Sequence, residues 1–188
     1  MKEIIFITTN KHKVEEISFA LKDFDIKVKQ LKFEYEENKE DTMEEVSEKA
    51  VKFLAKKLKK EIIVEDTGLF FESYNNFPGA LPKFVINGIG FDGVFRLLKG
   101  KNRKAYFKTV IGYCKPKGTP KLFSGEMHGK ITTKVIEGRK KIMPYDHIFI
   151  PEGYKKVIAE MSLEEKNSFS QRGKATKKLG KFLNKMNK

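Results

Sequence analysis

Cysteine is nearly absent from this 188-residue chain: Cys114 stands alone, which excludes an internal disulfide and leaves a cysteine-based zinc site without ligands. A reducing compartment is expected. Long apolar runs are also missing. Residues 4–7 and 62–64 are strand-sized, far below the roughly 20 residues that a membrane-spanning helix requires. The chain runs from Met1 into the first of these with no signal-peptide apolar region, so a cytoplasmic protein is expected. The three histidines, His12, His128 and His147, are too scattered for a metal site or a triad. Ser168, Ser170 and Cys114 have no base at a recognisable spacing, which leaves nucleophilic covalent catalysis unsupported. Tryptophan is absent, but sixteen phenylalanines supply bulky core material. With no repeat, linker or break in composition, residues 1–188 are expected to form a single domain.

What the chain has in excess is positive charge, +14 formally. A basic surface attracts polyphosphates regardless of sequence, so a nucleic-acid-binding protein without catalysis is one reading. Much of the excess falls in residues 52–60 and 172–188, both with helical spacing. Lysines on the solvent face of a packed helix account for it, and nucleic acid is not expected as a partner.

Periodicity outlines an α/β fold. Residues 4–8 read as a buried strand, Asn10 as the cap of an amphipathic helix carrying Val14, Ile17 and Leu21, and residues 26–33 as a second strand. Thr42 and Glu45 have capping-box spacing, and the apolar positions Met43, Val46, Ala50, Leu54 and Leu58 that follow suit one packed helix face. Residues 62–64 read as a short strand ending in a turn over 65–68, with an edge strand at 69–71 beyond it. A helix is expected over 91–98, stopped by Gly100. Strands are expected over 105–113, 121–123, 129–133 and 147–150, and closing helices over 163–166 and 172–186.

Three segments carry chemistry. Thr8-Thr9-Asn10-Lys11-His12-Lys13 joins a strand to a helix start, where unpaired N–H groups, the helix dipole and two lysines suit a phosphate; it lacks the glycines of a Walker loop, and alone it also fits an ordinary capped helix. Residues 34–48 hold eight carboxylates and one lysine, Lys39. Hard oxygen ligands near a nucleotide suit Mg²⁺, with Glu37 the favoured ligand ahead of Glu36 or Glu40. Glu65 and Asp66 follow an apolar strand, where burial and like charge perturb a carboxylate; a turn capped by Asp66 is the plain alternative. Lys49, Lys83, Lys166 and Arg172 each read individually as surface cations.

Taken together, these pieces are collinear with one family. T-x-N-x-x-K at Thr8 to Lys13, V-E-D-T-G ending at Gly68, F-P-G ending at Gly79, the run around Lys108-Thr109, Tyr145-Asp146, I-F-I-P ending at Pro151, Ala159-Glu160-Met161, Glu165-Lys166-Asn167 and Arg172 occur in its order. Over nearly its whole length the chain resembles the inosine/xanthosine triphosphate pyrophosphatases, the Ham1-like enzymes. The resemblance implies an elongated mixed β-sheet with flanking helices, two lobes around a central nucleotide cleft, and a homodimer. It implies Mg²⁺-dependent attack of water on the α-phosphorus of a faulty purine nucleoside triphosphate, giving monophosphate and pyrophosphate. Carried over residue by residue, Thr8, Asn10, Lys11 and Lys13 hold phosphate with Thr9 beside them in the substrate site, and Glu37 and Glu65 help bind metal, with Asp66 as base or second metal ligand. Lys49, Thr67 and Lys83 contact substrate. Met143, Tyr145, Asp146, Lys166, Gln171 and Arg172 recognise or enclose the nucleobase.

Three positions depart from the family pattern. Thr9 replaces a common glycine, Met143-Pro144 replaces Phe-Gly, and Gln171 replaces the histidine of Ser-His-Arg. Methionine removes an aromatic platform that contributes about 1–3 kcal/mol where bases stack on proteins, although a thioether still contacts a ring favourably. Gln171 can donate to a 6-oxo purine and can also accept, which loosens rejection of adenine. Altered base specificity is therefore the alternative within the same chemistry.

Overall fold

The computed structural model describes residues 2–33, 42–140 and 142–186. Seven strands form one mixed sheet in the order β2-β1-β3-β5-β6-β7, with β4 on the remaining edge of β3. The strands are β1 (Lys2–Ile7), β2 (Ile26–Leu31), β3 (Ile62–Phe71), β4 (Phe77–Gly79), β5 (Lys104–Cys114), β6 (Lys121–Ile131) and β7 (Phe149–Pro151). The helices are α1 (Lys11–Leu21), α2 (Met43–Leu58), α3 (Pro82–Leu97), α4 (Leu163–Phe169) and α5 (Gln171–Lys185). β1 runs parallel to β2 and β3, whereas β3, β5, β6 and β7 pair antiparallel. At about 3.3 Å per residue, strands of ten and eleven residues are longer than one ordinary core, which gives the molecule its elongation.

The caps read from the sequence are present. Asn10 accepts from the N–H groups of His12 and Lys13, and Thr42 with Glu45 closes a capping box on α2. Other boundaries move. The turn expected over 65–68 is absent, and β3 continues through it because Glu65 to Phe71 pair with β5 in unbroken register. β6 likewise fuses two expected strands, while residues 144–147 form a 3₁₀ turn rather than the start of β7. α3 begins at Pro82, well before the expected 91, and Gly90 at φ 62° breaks it into two helical segments. Proline at the first helical position was the sequence signal for that start.

Strand alternation in β3 positions the site. Ile63 belongs to a core beneath α1 and α5, Leu69 and Phe71 to a second core beneath α3, and Glu65 and Thr67 lie between them on the same face. Ile62 and Val64 face the other way, into a third cluster against α2. Two apolar lobes therefore flank a polar gap. The edge of β3 repeats the pattern, since β1 pairs with Ile62 and Ile63, β4 pairs with Leu69 to Phe71, and no described strand covers 64–68. α5 buries Ala175, Thr176, Leu179, Gly180 and Leu183 and leaves Lys174, Lys178 and Lys181 outward. Its lysines form the solvent face of a core helix. No described helix is long and apolar enough to cross a membrane.

Candidate active site

A cleft of about 510 Å³ opens at that polar gap. The β1–α1 loop supplies Thr8, Thr9, Asn10 and Lys13; β3 supplies Asp66 and Thr67; the start of α3 supplies Lys83. Met143 and the 3₁₀ turn bring Tyr145 and Asp146, and the corner between α4 and α5 brings Lys166, Gln171 and Arg172. Lys11 and Lys49 are exposed and do not line it, and Glu37 lies outside the described residues. The cleft wall also includes Ile86, Phe107 and Ile142; the sequence placed Phe107 in a strand, gave no element to Ile86 or Ile142, and marked none of them as a site residue.

Glu65 lies under the cleft floor, 8% exposed, rather than on its surface. Arg172 Nε donates to its Oε1 at 3.0 Å, and the hydroxyl of Thr67 bonds the same oxygen at 2.5 Å. Thr109, fully buried on β5 directly opposite Thr67, joins through its own hydroxyl at 2.6 Å from that of Thr67. Lys13 Nζ pairs with Oε2 at 2.5 Å and also donates to the Glu65 carbonyl at 3.1 Å. Burial opposes ionisation of Glu65, but Arg172 and then Lys13 outweigh it and hold the carboxyl at about 2.

The second centre of this network is Glu16, a residue the sequence did not single out. It lies three positions after Lys13 on α1 and so shares its helix face. Its two oxygens accept from Lys166 Nζ at 2.8 Å and from Arg172 Nη1 at 2.5 Å. Burial pushes its carboxyl up, yet Arg172 and Lys166 together bring it below the usual range. Lys166 also donates to Asp146 at 2.7 Å. Burial is the main influence on Asp146 and leaves it raised despite that lysine. An acidic residue beside Ile17 within the buried stripe of an amphipathic helix was the available signal for Glu16.

Asp66 points to the opposite side of β3 from Glu65, lines the cleft, and accepts the Thr67 N–H at 2.9 Å. Asn10 Nδ2 donates to Met143 Sδ at 3.8 Å, linking the capped loop to the far wall. Tyr145 packs edge-on against Phe107 and donates its hydroxyl to the Pro82 carbonyl at 3.2 Å. A loop that places Thr8, Thr9, Asn10 and Lys13 on the cleft thus meets a wall of Phe107, Met143 and Tyr145, with a half-buried carboxylate between them.

The model of the Ham1 family matches residues 4–182. The chain belongs to the Ham1 family. It is 40% identical over 181 residues to a dITP/XTP pyrophosphatase of Thermococcus kodakarensis, covering 96% of each chain. It is 41% identical over 182 residues to a dITP/XTP pyrophosphatase of Pyrococcus horikoshii, again covering 96% of each. The Ham1 protein of Staphylococcus aureus superposes with a TM-score of 0.75 at 26% identity over the whole of both chains. A Coxiella burnetii HAM1 protein superposes at 0.79, covering 98% of this chain and 100% of that one, and at 24% identity it speaks for the fold. Within this Ham1-family cleft the departures noted above are adjacent to the substrate space: Thr9, Met143, Pro144 and Gln171 all line it.

Proposed function

We propose that this Ham1-family protein hydrolyses inosine, deoxyinosine and xanthosine triphosphates to the monophosphate and pyrophosphate. The observation that carries this reading is the pairing of the Asn10-capped loop and Lys13 with Asp66 across a single cleft whose other wall is aromatic and thioether. The ammonium groups of Lys13 and Lys83 and the hydroxyls of Thr8 and Thr9 hold a triphosphate, and Phe107, Met143 and Tyr145 flank a planar base. Phosphoryl chemistry asks chiefly for positioning, charge neutralisation and an oriented water.

In this reading Asp66 accepts a proton from water as its oxygen attacks the α-phosphorus; the bond from that phosphorus to the α–β bridging oxygen breaks and pyrophosphate leaves. Glu65 has a different part, since its carboxylate already faces Arg172 and Lys13. It holds both cations at fixed positions beside the cleft.

The donor set fits Mg²⁺. Asp66 presents a carboxylate on the cleft wall, and Mg²⁺ takes only one or two protein carboxylates beside water and phosphate oxygens. Asp66 would hold it from the described wall, with Glu37 the sequence candidate for a second ligand. Bound there, the ion would neutralise phosphate charge. Lys13, Lys83 and the capped loop orient the chain of phosphates whether or not the ion is present. We further infer a homodimer in the cytoplasm, as the family resemblance implies.

Pyrophosphate release from inosine, xanthosine, guanosine and adenosine triphosphates, with and without Mg²⁺, is the deciding assay. Mg²⁺-dependent release from the first two is expected, and Asp66→Asn should slow it about 10²–10⁴-fold, the usual contribution of a positioned base. Absence of release from every triphosphate would overturn the reading.

A further inference from the structure

Thr109 lies in the middle of β5 with no exposure to solvent, and strand pairing sets it directly opposite Thr67. Its hydroxyl reaches two oxygens, Thr67 Oγ1 at 2.6 Å and Glu65 Oε1 at 3.4 Å. Both belong to the site: Thr67 lines the cleft, and Glu65 lies beneath it.

Counting donors and acceptors fixes the direction of each bond. A threonine hydroxyl has one hydrogen to give and two lone pairs to fill. Arg172 Nη2, 3.2 Å from Thr67 Oγ1, can only donate, so it fills one lone pair of Thr67. Glu65 Oε1, 2.5 Å from the same oxygen, belongs to an ionised carboxylate and can only accept, so it takes the single Thr67 hydrogen. One lone pair remains, and the hydrogen that fills it comes from Thr109. The 3.4 Å contact from Thr109 to Glu65 is too long to compete with the one at 2.6 Å.

The Thr67 hydroxyl is thus fully committed within the protein and has no donor left for a ligand. What it holds is Arg172. The guanidinium donates from Nε to Glu65, from Nη1 to Glu16 and from Nη2 to Thr67, and it lines the cleft in the orientation those three bonds set. Without the Thr109 hydrogen, a buried lone pair is left unfilled and the Thr67 hydroxyl loses one of the three bonds that fix its rotation.

We infer that Thr109 is a positioning residue for hydrolysis: it touches no substrate, and by donating to Thr67 it fixes the oxygen that holds Arg172 at the cleft wall. This role rests on the nucleotide hydrolysis proposed above.

A double-mutant cycle on kcat/KM for inosine triphosphate tests it, with Thr109→Val, Thr67→Val and the two combined; valine keeps the shape of threonine and removes the hydroxyl. Urea unfolding of each variant refers the rates to folded protein. Thr109→Val should slow hydrolysis about threefold to tenfold, the usual effect of one buried hydrogen bond. It should cost nothing further once Thr67 is valine, and Thr109→Ser, which keeps the hydroxyl, should restore most of the rate. Thr109→Ala carries the same comparison should the valine variant not fold. Unchanged kcat/KM in the hydroxyl-less variants, an equal loss in both backgrounds, or a serine variant as slow as valine would overturn the role. So would complete inactivity of Thr67→Val, which would mean that its hydroxyl meets the substrate. Absence of pyrophosphate release by wild type would remove the hydrolase reading and this role with it, an outcome seen without any variant.

Discussion

Glu65 illustrates how a single residue couples stability to the site. Its ordinary carboxyl value of 4.5 falls to about 2 in the folded chain, where Arg172 and Lys13 overcome the penalty of burial. A carboxylate depressed on folding stabilises the protein fully above its unfolded value, and that contribution disappears as pH falls through the folded one. The shift corresponds to roughly 3 kcal/mol. Urea unfolding should therefore show a loss of about that size between pH 5 and pH 2 attributable to this group. Glu65→Gln should flatten that part of the profile while lowering stability at pH 7, because Arg172 and Lys13 lose their shared anion. An identical acid-side slope in the variant would show that Glu65 is not the titrating group. Thr67 and Thr109, facing each other across β3 and β5, complete the hydroxyl side of the same carboxylate.

Elements, rather than residues, decide whether the cations reach the cleft. α5 starts at the corner left by α4, and its first turn sits against β6 only because Gly125 has no side chain. Gly125→Ala would place a Cβ 2.2 Å from the Gln171 carbonyl and 2.9 Å from Lys174 Cβ, so the helix start must shift. Overpacking of this kind costs about 1–3 kcal/mol. Activity should drop far more than stability, since Gln171 and Arg172 move together; circular dichroism melts beside kcat/KM separate the two. Unchanged kcat/KM would show that the close approach is dispensable. Helix caps were legible in the sequence because Asn10 and Thr42 act on N–H groups two or three residues away. The supposed turn at 65–68 was not, because Glu-Asp-Thr-Gly satisfies local turn chemistry and only ten consecutive pairs with β5 keep it extended.

At the scale of the whole molecule, the outward lysines of α5 and of the end of α2 carry part of the net charge of +14, while the core clusters on either side of the polar gap stay apolar. Since α5 contributes Ala175, Leu179 and Leu183 to a core, deleting residues 174–188 should abolish cooperative unfolding rather than merely remove charge. Retained cooperative melting and hydrolysis would refute that. Sedimentation should give twice the 21.7 kDa of one chain if the proposed homodimer holds, and a single-chain mass would exclude it. The sequence by itself determined the α/β class, the capped loop at Thr8 to Lys13, the carboxylates that follow β3's apolar start, and the family. Those features depend on neighbours in the chain or on collinear motifs. Only the tertiary structure decided that Glu65 lies beneath the cleft between two cations, that Glu16 joins Lys166 to Arg172, and that Gln171 has an unpaired amide. Each joins groups more than a hundred residues apart or depends on burial, and Coulomb energy and desolvation are set by distance in space, which local periodicity does not encode.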